Sequence, residues 1–502
     1  MSKLQRAKIR VREISNHRIL RATFNYGVGS YIPQFVSFFL APIYTIYISP
    51  ESMGTLELYS TGQILLTLII HLGVSGAISR YYFELGEGQK FKDFVFTIAT
   101  FTTVVGLTVI ALFFVFGPSI LQAYLPQVEV HPYLELMIFT SFLQIAPTWQ
   151  KRILQVREQS GFNAKLNVSS GITAIFFSIL FVIGFHKGAV GILWANLVTA
   201  TIFFAVALVN LRADLIGKFR LDYLKMALHY GLPLLPYHAG VWAQQFLNRW
   251  VLAGVAGVAV IGELSIAAKI VSPLNMVIGA FGLAYGPIYL SWRKEYSLEE
   301  CTHKAREVTR GILVFGSIGV FSAALFGGLY CHYAIDAAYR GAFPAIGILA
   351  ASIWAQLLYM AIGNEIFHMK KTTWISLLFI SACVVNLSLV LWLGDRGVVW
   401  TALAQLAGAL VTVILSAIVV ARTFPITIEP VVAIVTILAA AGGYFLSLEI
   451  SSERFLFDFL GAVIAWLILC AMVLFPFKVW NQGRALLQKL IRKGSKIQTE
   501  EV

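Results

Sequence analysis

The fold is decided by residues 230–296, which read YGLPLLPYHAGVWAQQFLNRWVLAGVAGVAVIGELSIAAKIVSPLNMVIGAFGLAYGPIYLSWRKEY. The pattern is that of two long apolar helices joined by a short glycine-rich link from Gly254 to Gly262. Arg249 falls near the end of the first helix, and Lys269 falls within the second. A cation inside an apolar span costs roughly 2.5–3.5 kcal/mol on insertion scales, so it usually faces a partner or a watery cavity. The stretch therefore predicts positive charge held within a membrane.

The composition predicts a polytopic membrane protein. Of the 502 residues, 58% are hydrophobic and only 13% are charged, whereas soluble domains carry about 25% charged residues. The four cysteines have no metal-ligand or disulfide spacing and are interpreted as packing residues. Seven Lys and Arg residues precede Ala22, and the apolar run that follows is long for a signal-peptide core. We interpret that run as an uncleaved first helix.

The chain is predicted to be all-α, with about fourteen transmembrane helices. About 20 apolar residues are needed to cross a bilayer as a helix, and every link between such runs is short. No soluble catalytic domain is therefore expected. The predicted spans, numbered 1 to 14 in order, are residues 22–48, 55–79, 94–117, 131–150, 166–186, 188–210, 227–254, 261–290, 308–332, 343–368, 373–393, 397–421, 431–449 and 455–476.

The distribution of basic residues predicts that both termini are cytoplasmic. With the N-terminus inside, 32 of the 38 Lys and Arg residues fall in cytoplasmic segments and four in external links. The remaining two are Arg249 and Lys269. This alternation follows the positive-inside rule, so the net charge of +13 is explained as a topogenic signal and not as a nucleic-acid surface. The basic tail, residues 478–502, is predicted to lie on the inner membrane surface.

An internal repeat predicts two six-helix units in parallel orientation. Three pairs of landmarks recur at offsets of 204, 208 and 209 residues: Tyr26-Gly27 with Tyr230-Gly231, Met53-Gly54 with Ile261-Gly262, and Lys187-Gly188 with Arg396-Gly397. We therefore divide the chain into an N-lobe at 22–211, a C-lobe at 226–421, two further helices at 430–477, and the tail. Two such units around a central cavity are typical of transporters, with the substrate site between the halves.

Arg249 and Lys269 are the first candidates for that site. They lie roughly 8 and 10 Å below the same end of the hairpin at 1.5 Å per residue, so they are at similar depth on neighbouring helices. One interpretation is a pair of cations that lines the cavity and binds phosphate, which suits the planar fork of Arg. The alternative is that Arg249 snorkels outward to lipid headgroups while Lys269 pairs with Glu57 or Glu263.

Three acidic residues and one further Arg complete the candidate set. Glu57, Glu263 and Glu365 fall within or at the ends of predicted spans, either as coupling sites and charge partners or as ordinary interfacial residues. Arg80 ends span 2 at the predicted inner surface, where it guards a cytoplasmic opening or anchors the helix. No histidine has metal-ligand spacing, so neither a metal nor a cofactor is predicted.

At these residues the chain resembles the polysaccharide and O-antigen lipid flippases of the multidrug/oligosaccharidyl-lipid/polysaccharide exporter superfamily. The resemblance rests on Gly231-Leu232-Pro233 with Pro236, on Asn248-Arg249, on Gly262 followed by Ala268-Lys269-Ile270, and on Arg80-Tyr81-Tyr82-Phe83. One departure is Asn248, where the family commonly has Asp, and it puts an ion-coupling role at this position in doubt.

The resemblance implies a specific transport function in the inner membrane. Two lobes would rock between inward-open and outward-open states and carry an undecaprenyl-pyrophosphate-linked oligosaccharide to the outer leaflet. It also implies that spans 13 and 14 offer a groove for the lipid tail, and that the polysaccharide polymerase and chain-length machinery are partners.

Two other functions remain open at this point. A multidrug or cation antiporter of the same superfamily would need acids facing the cavity, whereas the clearest buried charges here are positive. A membrane glycosyltransferase or polymerase would need an acidic pair or a sizeable external loop, but the chain has only six Asp and no DxD sequence. The absence of a GxxxxGK[ST] sequence argues against ATP as the direct energy source.

Overall fold

A computed structural model describes residues 37–369, 372–425, 428–449 and 454–474. Throughout these residues the secondary structure is helical, with turns between the helices. Eleven of the described helices are long and apolar enough to cross a membrane. The predicted class, an all-α polytopic membrane protein, is confirmed. Much of span 1 and the whole of the basic tail lie outside the described residues.

From residue 37 onward, the described part of the first half contains eight helices. They are α1 (Ser37–Tyr47), α2 (Pro50–His71), α3 (Ser75–Leu85), α4 (Gln89–Tyr124), α5 (Tyr133–Leu143), α6 (Ile145–Val156), α7 (Ser160–Ile179, extended by a π-turn to Gly184) and α8 (Gly188–Leu211). Ser49 accepts a hydrogen bond from the amide of Ser52 and caps α2, and Pro50 opens that helix. Both features favour a helix start at this point.

The second half begins with a broken span and continues with longer helices. They are α9 (Leu221–Gly231), α10 (Leu235–Trp242), α11 (Asn248–Val255), α12 (Val258–Glu295), α13 (Leu298–Ala334), α14 (Phe343–His368), α15 (Thr372–Leu393) and α16 (Val398–Val420). Two further helices follow, α17 (Pro430–Glu449) and α18 (Phe455–Leu474). Ser297 and Glu300 form a capping box at the start of α13.

Three predicted spans are interrupted. Span 2 is divided into α2 and α3 by a turn with Leu72 at φ 44°. Span 4 consists of α5 and α6, which meet at Gln144, and span 7 consists of α9, α10 and α11, separated by a 3₁₀ turn and a π-turn. Pro233 and Pro236 explain the first break in span 7, because proline lacks the amide that an α-helix needs. The predicted link from Gly254 to Gly262 is also too long. α11 ends at Val255 and α12 begins at Val258, with Gly257 at φ 84° in the turn.

The helix contacts of the first half recur in the second. α2 packs on α5, α5 on α8 and α8 on α7, while α12 packs on α14, α14 on α16 and α16 on α15. These are equivalent pairs under the predicted repeat. α2 and α12, the second helices of the two units, also pack on each other and join the halves. The exact lobe boundaries stay a prediction.

The links between helices segregate to two ends of the bundle, as the alternation of charge predicts. At one end Tyr339 donates its hydroxyl proton to the carbonyl of Ile48, and Gln127 donates to the carbonyl of Ala253. We call this end, which includes the α11–α12 turn, the hairpin end. At the other, the basic end, Arg157 bonds Asp214 in the segment that joins the halves.

Candidate substrate-binding site

Three charged side chains meet where the two halves join. The Nε atom of Arg249 on α11 lies 3.2 Å from Oε1 of Glu57 on α2, and these side chains are only 16% and 20% exposed. Lys269, on α12, is partly buried and interacts electrostatically with both of them. Arg249, Lys269 and Glu57 are hereafter called the charge triad.

The broken backbone of span 7 holds Arg249 in place. A π-turn over residues 243–247 precedes α11 and puts Arg249 at the second position of that helix. Its Nη1 atom donates to the carbonyl oxygen of Gln245 at 3.1 Å, and its guanidinium stacks on the ring of Phe246 at 5.4 Å. The side chain is thereby directed to Glu57, in contrast to the snorkelling interpretation. Lys269 forms no ion pair with either Glu57 or Glu263 within 4 Å among the described residues.

The triad carries a net charge of +1. It holds two cations and one carboxylate in a partly buried setting, where charge interactions are several-fold stronger than in bulk water. Like charges at this depth repel unless an anion compensates them. The triad therefore has the capacity to accept one further negative group.

The tryptophans next to the triad bind the opposite helix. Trp250 donates its indole proton to Oγ1 of Thr61, and Trp242 donates to the carbonyl oxygen of the same residue, both at 3.0 Å. Thr61 is one turn beyond Glu57 on α2. Thr61 could not be identified from the sequence, because a threonine in an apolar helix carries no signal of its own.

Near the triad, at the hairpin end, α2 and α12 come into backbone contact at two glycines. A Cβ on Gly54 would lie 1.8 Å from the carbonyl oxygen of Val258, and one on Gly262 would lie 2.0 Å from that of Pro50. Only glycine permits so close a helix crossing. Gly54 precedes Glu57 by three residues, so the crossing lies within about one helical turn of the triad.

The other sequence candidates lie away from the triad. Glu365 is 1% exposed and accepts the hydroxyl proton of Tyr289 at 2.6 Å and a guanidinium proton of Arg293 at 3.1 Å. Lys269 and Arg293 lie on the same helix, 24 positions apart, which is roughly 36 Å at ideal helical rise. Glu365 thus belongs to the basic end. Its pairing with Arg293 had no signal in the sequence.

Arg80 and Glu263 are also separate from the triad. Arg80, on α3, pairs with Glu84 one turn later at 2.5 Å, and both side chains are about half exposed. The carboxylate of Glu263 lies against the backbone at Gly341, near the start of α14. In the described part of the chain, no cluster of His, Cys, Asp and Glu is placed to hold a metal ion.

The fold is similar to those of two solved transporter structures. The structure is similar to "Lipid II flippase MurJ, inward closed conformation", with a TM-score of 0.68 at 13% identity, covering 90% of this chain and 98% of that one. It is also similar to an inward-facing multidrug resistance MATE family transporter of the MOP superfamily. That TM-score is 0.61 at 16% identity, covering 79% of this chain and 98% of the other. The protein therefore has a MurJ- and MATE-like transporter fold.

The sequence comparisons agree with this fold. The "Lsg locus putative protein 1" of Haemophilus influenzae is 24% identical over 291 residues, which cover 56% of this chain and 68% of the relative. A family model described as "Polysaccharide biosynthesis protein" matches residues 47–314, more than half of the chain. The resemblance drawn from the sequence is confirmed at this level, and the chain belongs to this polysaccharide biosynthesis protein family.

Proposed function

We propose that this transporter carries a polyprenyl-pyrophosphate-linked oligosaccharide from the cytoplasmic to the outer leaflet by alternating access. The product would serve biosynthesis of a polysaccharide such as O-antigen, capsule or exopolysaccharide. The observation that carries the proposal is the charge triad, in which Glu57 pairs with Arg249 and interacts electrostatically with Lys269 where the two halves meet.

The chemistry of this cargo matches the triad. A lipid-linked sugar cannot cross hydrocarbon alone, because its hydroxyls and pyrophosphate would lose their water. Pyrophosphate supplies acceptors for the guanidinium fork of Arg249 and a negative charge for Lys269. The Glu57 carboxylate occupies part of the space next to Arg249, and it would have to move away when pyrophosphate binds there.

Glu57 also offers a route for coupling. Protonation of its carboxylate would remove the negative charge that holds Arg249 and leave both cations for the cargo. The site is next to the Gly54–Gly262 crossing, so binding at the triad and closure of the hairpin end would influence each other. A ligand shifts a conformational equilibrium only if it binds the two states with different affinities. A binding site next to the crossing would allow such a difference.

The charges favour an anionic cargo over a cationic drug. Glu57 already faces two cations, and Glu365 is bound to Arg293 and Tyr289. A cationic substrate would have to displace an arginine from its carboxylate in either place. A glycosyltransferase is disfavoured by the transporter fold and by the short external links.

The orientation is part of the proposal. We infer an inner-membrane protein with both termini in the cytoplasm and the hairpin end outside, because the other end carries most of the basic residues. In a variant without native cysteines, cysteines introduced at exposed positions 187 and 395 should react with an impermeant reagent from outside. Those at exposed positions 88 and 218 should react only from inside. External labelling at 218 would overturn the orientation.

The decisive experiment removes the charges of the triad and measures transport. Arg249→Gln and Lys269→Gln should each lower flipping of a lipid-linked oligosaccharide about ten- to hundredfold, because a hydrogen bond to a charged group contributes about 1.5–3 kcal/mol. Arg249→Lys should retain only part of the transport activity, because the Lys ammonium binds phosphate as a point charge. Arg340→Gln, which removes an exposed cation at the hairpin end, is the control.

Cells with the inactive variants should accumulate lipid-linked oligosaccharide on the inner face while its synthesis continues. Normal transport by both Gln variants at normal abundance would remove the support for the phosphate site. Loss of the repeat unit itself would identify the protein as a transferase.

A further inference from the structure

A cavity opens between α15 and α16 at the basic end of the bundle. Its volume is about 360 Å³, and its walls are mostly apolar, including Leu378, Leu415 and Val419. Leu378 is 2% exposed, whereas Leu377 and Ile418 on the rim are 48% and 56% exposed. The cavity therefore opens to the outer surface of the bundle. In a transmembrane helix pair, that surface faces the hydrocarbon of the lipid.

The mouth of this cavity is polar and positively charged. Arg422 and Thr423 follow the end of α16, and the hydroxyl of Thr423 contacts the sulfur of Met369, before α15, at 3.2 Å. The Arg422 side chain is exposed, and within the described ranges it pairs with no acidic side chain. Trp374 also lines the cavity and is 39% exposed. Tryptophan at a helix end is typical of the membrane–water interface.

We propose that this cavity is a binding site for an anionic phospholipid, with one acyl chain between α15 and α16 and the phosphate on Arg422. The apolar walls favour a hydrocarbon chain, and a guanidinium at the mouth supplies only hydrogen-bond donors, which phosphate oxygens accept. Leu415 and Arg422 are seven residues apart, roughly 10 Å along the helix, so the headgroup and the chain contacts are spaced as in a lipid at the interface.

The site is distinct from the charge triad. α15 contacts α11, the helix that carries Arg249, but it does so at its other end, where Gly394 lies against Leu252. Arg422 also belongs to the basic end, whereas the triad lies near the hairpin end. A phospholipid that occupies this cavity would therefore be a resident lipid of the C-terminal half and not the cargo. The leaflet at a cytoplasmic surface is rich in anionic lipids, which matches the exposed cation Arg422.

The test uses the full-length purified protein and two lipids that share acyl chains. Binding of phosphatidylglycerol and phosphatidylcholine is measured by native mass spectrometry after delipidation. Phosphatidylglycerol should bind about tenfold more tightly than phosphatidylcholine. Arg422→Gln should remove that preference, and Ser381→Phe, which fills part of the cavity, should weaken the binding of both lipids. Arg396→Gln is the matched control, because Arg396 precedes the other end of α16 and stacks on Trp400 at 5.5 Å.

Several results would overturn the proposal. Equal binding of the two lipids by the unmodified protein would exclude an anion site, and an equal loss in Arg396→Gln would indicate a general effect of surface charge. A lipid retained by Ser381→Phe as well as by the unmodified protein would lie outside this cavity. Displacement of bound phosphatidylglycerol by a polyprenyl phosphate at much lower concentration than by isotope-labelled phosphatidylglycerol would assign the cavity to the tail of the cargo.

Discussion

Gly54 and Gly262 lie in contact where α2 crosses α12, and each occupies a position in which a Cβ would overlap the backbone of the other helix. They are equivalent residues of the predicted repeat, so the two halves meet through the same position in each copy. At such a crossing the backbones of the two helices approach closely enough for Cα–H···O contacts. We expect the two halves to part at this crossing while each half keeps its own packing.

The first prediction is that Gly54→Ala separates the hairpin end. A methyl group 1.8 Å from the Val258 oxygen cannot be accommodated by rotation of a side chain, because the neighbour is backbone. The variant should populate a state open at this end. In a variant without native cysteines, a cysteine at Ser265, which is buried one turn below Gly262, should then react faster with an impermeant reagent.

Gly254→Ala is the control for this effect. Gly254 belongs to the same hairpin, but a Cβ there would meet no atom within 4 Å. Labelling at position 265 should stay slow in that variant. If Gly54→Ala left the labelling rate unchanged, the crossing would not be the closure of the hairpin end.

The positions of the helices follow from hydropathy, but the shape of span 7 does not. Runs of apolar residues predicted where helices lie, and the alternation of Lys and Arg predicted which links share an end. Pro233 and Pro236 were visible as breaks, whereas the π-turn at 243–247 depends on packing against other helices. The direction of Arg249 depends on that turn and therefore could not be read from helical spacing.

The sequence predicted which charged residues need partners, but not which residues form the pairs. The sequence identified Arg249, Lys269 and Glu57 as unusual charges, but left the partner of each open. Which carboxylate meets which cation depends on the crossing of α2 and α12, which is determined by Gly54 and Gly262. The ion pair of Arg293 and Glu365 joins residues 72 positions apart on two helices, and no local pattern connects them.

The second prediction separates a structural role of Arg249 from cargo binding. Glu57→Gln should increase affinity for a polyprenyl pyrophosphate several-fold, because the carboxylate that competes for Arg249 is removed. It should also lower the free energy of unfolding by about 1–3 kcal/mol, because two partly buried cations lose their partner. Affinity is measured by titration of the purified protein, and stability by thermal unfolding.

The double variant Glu57→Gln/Arg249→Gln completes the comparison. If Arg249 only balances Glu57, the double variant should transport as well as the unmodified protein, since neither charge is left alone. If Arg249 binds cargo, stability should recover while transport stays low. Glu51→Gln, an exposed change in the first turn of α2, should alter neither quantity.

The third prediction concerns the segment between the two halves. Arg157 donates to both carboxylate oxygens of Asp214, at 2.8 and 2.6 Å, and Asp214 is buried. Asp214→Asn should lower the free energy of unfolding by about 1–3 kcal/mol through loss of this charge-assisted pair. Thermal unfolding in detergent measures the change. Arg220→Gln breaks an exposed pair with Asp222 at 3.5 Å and should have little effect.

The fourth prediction is a pH dependence at the same end. Hydrogen bonds from Tyr82 and from Arg157 hold the pKa of Glu87 below its ordinary value of 4.5. Because the pKa is lower in the folded state, the stabilisation is fully present above about pH 4.5. It is lost as the pH falls through the lowered pKa of Glu87 in the folded state. The unmodified protein should therefore be more stable than Glu87→Gln at pH 7. The difference should disappear in strongly acidic buffer, and a difference that grew on acidification would contradict the assignment.

The fifth prediction tests whether Glu365 is a coupling site or a structural anchor. Its carboxylate is buried at the basic end and binds Tyr289 and Arg293, so Glu365→Gln leaves the guanidinium without its counter-charge. Breaking a buried pair on one side costs about 3–5 kcal/mol, and this pair should lie toward the lower end because Arg293 is 16% exposed. The double variant Glu365→Gln/Arg293→Gln should regain part of the lost stability, as judged by thermal unfolding.

Both variants should keep the pH profile of transport if the role of Glu365 is structural. A coupling role would appear as the opposite pattern, with unchanged thermal stability and a transport rate that no longer responds to the pH gradient.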